Sequence, residues 1–288
     1  MEKLSNVTVI IPCFNDGLYV EEALLSIQNQ TLKAEKIIVV DDGSNAATKD
    51  ILKALKINDL EIIFQNNQGV SAARNNGIQM ASTKYVLNLD ADDILEPTFI
   101  EKSVKVLNEN LTVGVVGSYC QLFSKTNKSI DVLKPLGGGI TNFLIKNNVS
   151  ANSMFRKLCW EQVNGFDTKM LNGYEDWEFW ISVTSKNWSV HVLEEVLMYY
   201  RIKNTSRDQN ALINHDYELR CYIFDKHKDL YRNHFDFCFK ELMRRNSTLK
   251  LAIEKIKKTN EFLVGDKILK PIRVLKNVAF QIINKITK

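Results

Sequence analysis

Five apolar runs rich in β-branched residues mark the first 120 positions: VTVIIP (Val7 to Pro12), KIIVV (Lys36 to Val40), LEIIF (Leu60 to Phe64), YVLNL (Tyr85 to Leu89) and VGVVGSY (Val113 to Tyr119). Short apolar runs bounded by turn residues read as buried strands. Between them the spacing changes to a helical period. Leu18 to Gln30 carries Val20, Leu24 and Ile27 on one face, and further helices are predicted over Thr48 to Leu55, Ser71 to Met80 and Pro97 to Asn108. Ser71 suits an N-cap and Pro97 a first helical turn. Strands alternating with helices of this length predict an α/β fold with a doubly wound, mostly parallel sheet. Beyond it, polar sequence ending in Gly137-Gly138-Gly139 reads as a loop or hinge. A short strand is then predicted around Ala151 to Phe155, a helix from Glu175 to about Ser185, strands at Val190 to Leu193 and Val196 to Ile202, and helix from Ala211 onward.

Composition adds limits to this pattern. With 288 residues, 45% hydrophobic and 25% charged, the chain is long enough for a full core and an appendage. The expected division is a domain at 1–210, with halves at 1–113 and 114–210, followed by a helical extension at 211–288. Five cysteines without a CxxC pair read as free thiols of a reducing compartment. The N-terminal apolar segment is too short for a signal peptide, and no run has the roughly 18 to 20 apolar residues of a membrane span. A cytoplasmic location is expected.

The chemistry is concentrated where the apolar runs end. Asp41-Asp42 follows KIIVV, Asp90-Ala91-Asp92-Asp93 follows YVLNL, and Glu175-Asp176 opens an aromatic helix. Loops at the carboxyl ends of parallel strands are where open α/β sheets bind ligands. Several carboxylates in one crevice repel unless a cation is shared, and hard divalent cations prefer oxygen. The pattern points to a metal-assisted site for a ligand with its own negative charge, such as a nucleotide diphosphate. The first strand-to-helix turn, IIPCFNDG, lacks the G-x-G-x-x-G of dinucleotide sites, and there is no Walker loop. The four histidines show no ligand spacing for zinc.

VTVIIPCFNDGLYVEEALLSIQNQT, KIIVVDDGSNAAT, NQGVSAARNNGI, YVLNLDADDIL and NGYEDWEFW together resemble, in order and spacing, the consecutive motifs of the family 2 glycosyltransferases. The resemblance covers about Val7 to Ser206. It implies the GT-A fold, a nucleotide-sugar donor, expected to be a UDP-sugar, a Mn²⁺ or Mg²⁺ ion, and inversion at the anomeric carbon. By the same resemblance Asp42 contacts the donor's base in a pocket lined by Pro12 and Phe14, Arg74 lies on the donor side, and Asp90 contacts ribose. Asp92 and Asp93 face the metal, with the inner-sphere ligand left open between them. Asp41 reads as a brace for its turn. Asp176 is the expected general base that takes the proton of an acceptor hydroxyl. Glu175, Trp177 and Trp180 are acceptor-side candidates, the tryptophans as stacking surfaces for a sugar. Arg201 or Arg207 is expected to neutralise phosphate charge. The setting the resemblance suggests is transfer to a glycan or lipid-linked acceptor in bacterial surface polysaccharide synthesis.

The tail differs in charge. From Phe239 to Lys288 there are 13 Lys plus Arg against 4 Asp plus Glu, so with a net +4 for the whole chain the rest carries −5. Ile268, Ile272, Leu275, Ala279, Ile282 and Ile286 repeat at helical spacing among lysines, which predicts an amphipathic basic helix. Such a helix suits the inner face of an anionic membrane, docking on the body, or pairing with a second copy. Nucleic acid binding is not expected, because no aromatic-interleaved basic patch accompanies the charge. Two rival functions remain at this stage. A sugar nucleotidyltransferase would require a Gly-rich basic loop after the first strand, and a non-catalytic sugar-nucleotide sensor or scaffold would tolerate loss of Asp176 or the acidic loop.

Overall fold

The computed structural model describes residues 5–124, 126, 129–203, 207–265 and 267–269. The chain divides into two compact units, Met1–His234 and Phe235–Lys288. In the first, nine strands form one mixed sheet among the described residues: β1 (Val7–Cys13), β2 (Lys36–Asp42), β3 (Leu60–Gln65), β4 (Tyr85–Asn88), β5 (Ile94–Leu95), β6 (Val113–Phe123), β7 (Asp131–Leu133), β8 (Met154–Arg156) and β9 (Ser189–Arg201). The spatial order is β3-β2-β1-β4-β8-β6-β9-β5, with β7 added to β6. The helices are α1 (Val20–Gln28), α2 (Ala46–Ala54), α3 (Val70–Met80), α4 (Phe99–Glu109), α5 (Ile140–Phe143), α6 (Lys157–Gln162), α7 (Glu175–Thr184), α8 (Arg207–Asn210), α9 (Asp216–Lys226), α10 (Lys228–Asn233) and α11 (Phe235–Lys257). A π-helical turn at Ala211–His215 joins α8 to α9.

The parallel half is β3-β2-β1-β4. Every residue of β1 is buried because helices cover both sheet faces, which is why the strand reads as a continuous apolar run. Val20, Ala23, Leu24 and Ile27 of α1 are buried in the same cluster as Val7, Val9 and Ile11. On α3, Gly77 lets the helix approach the sheet: a Cβ there would lie 2.7 Å from Ile10 Cγ2. That approach sets the depth of Arg74, one turn earlier on the same helix.

Beyond β4 the sheet becomes mixed, since β8 runs antiparallel to both β4 and β6. Three expectations are corrected by the packing. The two strands expected at 190–202 are one strand, β9. Its register on β6 slips around Ser118 to Cys120, opposite Glu194 and Glu195, so the polar break is a bulge inside a strand. Ser71 lies inside α3, whose N-cap is Gly69 at φ 89°, and α4 begins at Phe99, after Pro97.

The helical region expected from Ala211 is also divided. Residues 211–234 belong with the body: Tyr231 Oη donates to Leu144 O at 2.7 Å, and Tyr222 Oη to Asp167 Oδ2 at 2.9 Å. His227 Nε2 lies 2.8 Å from Glu178 Oε1 in a buried pair, which makes this histidine a packing residue. The second unit starts at Phe235, with α11 as its long helix. From Lys270 on, the amphipathic basic helix expected at 268–288 lies outside the described residues. Among the described residues no helix is long and apolar enough to cross a membrane. The five cysteines are free, and burial first of all pushes the thiols of Cys13, Cys120 and Cys159 up to about 12, which leaves them protonated and inert.

Candidate functional site

The carboxyl ends of β1, β2 and β4 open into one cleft of about 770 Å³, closed on the other side by the end of β9 and by α8. The volume is in the range of small-molecule sites. Pro12 and Phe14, at the end of β1, line it, and Phe14 presents an exposed ring. Asp42 lines it from β2. Its carboxylate accepts from the Gln68 and Gly69 amides and from Gln65 Nε2, all at 2.8 Å, which fixes the loop leading into α3. Asp41 is fully buried and accepts from Ser44 N at 3.3 Å, the turn-bracing role expected for it.

Arg74 organises the centre. It is wholly buried on α3, and its guanidinium donates to Asp90 Oδ1 at 2.7 Å and to Glu175 Oε1 at 2.8 Å. Arg207 adds a second bond to the same Glu175 oxygen at 2.5 Å. Burial alone would raise the Glu175 carboxyl, but Arg207 and Arg74 outweigh it and hold it below its ordinary value. Glu175, expected on the acceptor side, is thus the buried anion of a two-arginine clasp.

The acidic loop after β4 separates its members. Asp90 and Asp92 line the cleft, whereas Asp93 is 1% exposed and does not. The Arg201 backbone amide donates to Asp93 Oδ1 at 2.8 Å, and Asn152 Nδ2 to Oδ2 at 2.6 Å. Burial, then the neighbouring Asp92 and Asp90, push Asp93 well above the usual carboxylate range. The expectation that both Asp92 and Asp93 face a metal is therefore corrected: Asp93 ties the loop to β9, and Asp92 alone of the two reaches the cleft. Burial is likewise the main cause that raises Asp92, with Asp90 and Asp16 adding to it.

Arg201 lines the cleft, but its guanidinium is committed. It bonds Glu22, donates through Nε to Asp92 O at 2.8 Å, and stacks 4.7 Å from the Tyr19 ring and 4.5 Å from the Phe123 ring. The cleft cations with more exposed heads are Arg207 and Lys203. Lys203 bridges Asp16 Oδ1 at 2.7 Å and Asp92 Oδ2 at 2.6 Å. Asp16 lies within the first of the motifs quoted above but is given no role there, and Lys203 lies in none of them. The one available signal was that Asp16 follows the first strand and Lys203 the last.

Helix α7 carries the remaining candidates. Its first turn is held by Tyr174, a bulky residue at φ 60° whose Oη donates to Asp216 Oδ1 at 2.5 Å. Backbone strain of this kind persists only where packing overdetermines it. Asp176 stands next to the clasp without lining the cleft: Asn147 Nδ2 donates to its Oδ2 and the Trp177 amide to its Oδ1, both at 2.7 Å. Trp180 is fully buried between Phe155 and Phe179, and Trp177 is 4% exposed with Nε1 on Phe143 O. The stacking role expected for both tryptophans is corrected to core packing that seats α7.

The comparisons with known proteins agree with this arrangement. The family model described as Glycosyl transferase family 2 matches residues 8–162, more than half of the chain. An uncharacterized glycosyltransferase of Methanocaldococcus jannaschii is 30% identical over 207 residues, covering 69% of this chain and 71% of that one. Another, of Haemophilus influenzae, is 31% identical over 231 residues, covering 75% of this chain and 71% of that one. Among solved structures, S. aureus TarS 1-349 in complex with UDP-GlcNAc superposes with a TM-score of 0.59 at 19% identity, over 71% of this chain and 61% of that one. The motifs, the mixed sheet with its acidic cleft and these likenesses converge: the chain belongs to glycosyl transferase family 2 and is a glycosyltransferase of the GT-A fold.

Proposed function

We propose that the cleft binds a nucleotide-diphosphate sugar, with UDP as the base-bearing group, and that the enzyme transfers the sugar with inversion to a hydroxyl of a glycan or lipid-linked acceptor. The observation that carries this reading is the meeting of three chemistries in one cleft: the Pro12, Phe14 and Asp42 wall, the Asp90 and Asp92 carboxylates, and the Arg207 and Lys203 cations. The wall suits a planar base, the exposed Phe14 ring being its stacking surface. The complex of S. aureus TarS with UDP-GlcNAc favours UDP as the nucleotide.

The donor set fits a hard divalent ion held mainly through Asp92. Carboxylate charge is crowded along one wall, where Asp90 and Asp16 both raise Asp92. Among the described residues no three such side chains gather to hold an ion by themselves. Mg²⁺ in particular is commonly held by one or two carboxylates and completed by substrate phosphates and water. When bound, Mg²⁺ or Mn²⁺ would supply charge stabilisation for the departing diphosphate. Asp176 is the proposed base; Asn147 and the Trp177 amide orient its carboxylate toward an acceptor hydroxyl. The surplus of Lys and Arg beyond Phe239 supports a peripheral contact with an anionic membrane, where a lipid-linked acceptor would be presented.

Titration calorimetry tests the metal role. UDP is expected to bind the full chain in the presence of Mn²⁺ and to bind Asp92→Ala at least about tenfold more weakly, a loss of about 1.4 kcal/mol. Equal affinity for the two proteins would refute the placement of the ion at Asp92.

A further inference from the structure

We propose that Lys203 is a built-in counter-ion that occupies the Oδ2 oxygen of Asp92 until the donor arrives, so that divalent metal and nucleotide bind as a coupled pair. The inference deepens the donor and metal reading above and rests on it. Lys203 Nζ contacts Asp92 Oδ2 at 2.6 Å and Asp16 Oδ1 at 2.7 Å, and sits 5.4 Å from the Tyr19 ring. Asp92 is the member of the Asp92-Asp93 pair that reaches the cleft, so the ammonium lies where an ion held by that carboxylate would compete with it.

Lysine and arginine play different parts here. Arg201 is fixed by Glu22, the Asp92 carbonyl and two rings, and its own backbone amide holds Asp93. Its charge stays where it is. Lys203 is held by ion pairs to Asp16 and Asp92, is about a third exposed, and ends a four-carbon stem with several rotatable bonds. It can leave Asp92 by a rotamer change and still remain in the cleft it lines.

Without nucleotide, a divalent ion must displace the ammonium from Asp92 and leave it one of its two carboxylate partners, Asp16, so metal alone binds poorly. A diphosphate changes the balance. It offers Lys203 a new anionic partner and offers the ion phosphate oxygens, so each ligand strengthens the other by the same factor.

The test is Mn²⁺ binding to the full-length protein, read from the free-ion signal in electron paramagnetic resonance, with and without UDP. For the wild type, Mn²⁺ alone should bind weakly and UDP should tighten it. In Lys203→Met, Mn²⁺ alone should bind about fivefold more tightly, the upper size expected for losing one partly exposed ion-pair competitor. The same variant should bind UDP more weakly with Mn²⁺ present, and the tightening by UDP should shrink. Lys203→Arg, which keeps a cation in place, should retain weak binding of Mn²⁺ alone and shows whether charge or shape is responsible. If UDP recruits Mn²⁺ to the wild type but Lys203→Met binds Mn²⁺ alone no better, the counter-ion role is wrong. If UDP recruits no Mn²⁺ even to the wild type, the metal reading fails as well, and the two failures are thereby told apart.

Discussion

Asp176→Asn is expected to lower the rate of sugar transfer by about 10² to 10⁴-fold, the usual contribution of a positioned general base, while UDP affinity stays within about twofold. The two halves of this expectation have separate structural grounds. Asp176 lies outside the lining of the cleft, so its amide analogue leaves the Pro12, Phe14 and Asp42 wall and the acidic loop untouched. Its carboxylate is aimed by Asn147 Nδ2 and the Trp177 amide; an asparagine Oδ1 keeps the bond from the Trp177 amide, and its Nδ2 finds an acceptor once the Asn147 amide turns over. What asparagine lacks is basicity. The loss should therefore fall on kcat, with the donor KM nearly constant. Normal turnover by the variant, or a loss confined to KM, would exclude Asp176 as the base.

Arg74→Met is expected to cost about 3 to 5 kcal/mol of stability, the range for breaking a buried ion pair from one side. Against a total of about 5 to 15 kcal/mol this is a large fraction. Arg74 is fully buried between Asp90 and Glu175, with its guanidinium 5.5 Å from the Phe166 ring. Without it Glu175 keeps Arg207 but loses its internal partner, and a carboxylate with 2% of its side chain exposed cannot turn to water. Removing the stranded charge as well, in Arg74→Met with Glu175→Gln, should recover part of the loss.

The pH dependence gives a second reading of the same clasp. Glu175 titrates below its ordinary value in the folded protein, so over that window the unfolded chain binds more protons and stability rises with pH. Its contribution is complete above the unfolded value of about 4.3 and is lost as pH falls through the lower folded value. Urea denaturation at pH 7 and in acid should therefore show a larger acid loss for the wild type than for Arg74→Met. A deficit below about 1 kcal/mol at pH 7 would mean that Arg207 alone neutralises Glu175.

Much of this site was legible in the sequence because parallel strands place their carboxyl ends together. Once VTVIIP, KIIVV and YVLNL read as neighbouring buried strands, Pro12, Asp42 and Asp90 had to share one edge of the sheet. The pattern could not say which way each side chain turns beyond a strand end. Asp92 and Asp93 are adjacent and chemically identical, yet one meets the cleft and the other meets Asn152 and the Arg201 amide. That outcome depends on β9, more than a hundred residues later in the chain.

Long-range pairing explains the other differences. Trp177 and Trp180 sit in a helix whose sequence allows either core or surface; Phe155 and Phe179 packed on Trp180, and Tyr174 with the Phe143 carbonyl on Trp177, decide for core. Lys203 carries no motif, because a lone lysine after a strand is ordinarily a solvated side chain. Its meaning comes from Asp16 and Asp92, brought to it by the ends of β1 and β4. The bulge in β9 was invisible for a similar reason: Glu194-Glu195 looks like a turn until β6 is laid beside it.

The central claim is that this acidic cleft receives a nucleotide diphosphate together with a divalent ion. It is tested most directly by thermal unfolding of the full-length protein with UDP, GDP, CDP and dTDP, each with and without Mn²⁺, since a ligand that binds only the folded state raises the melting temperature. The account predicts a rise with UDP that is larger when Mn²⁺ is present. No rise with any of the four, in either condition, would contradict it.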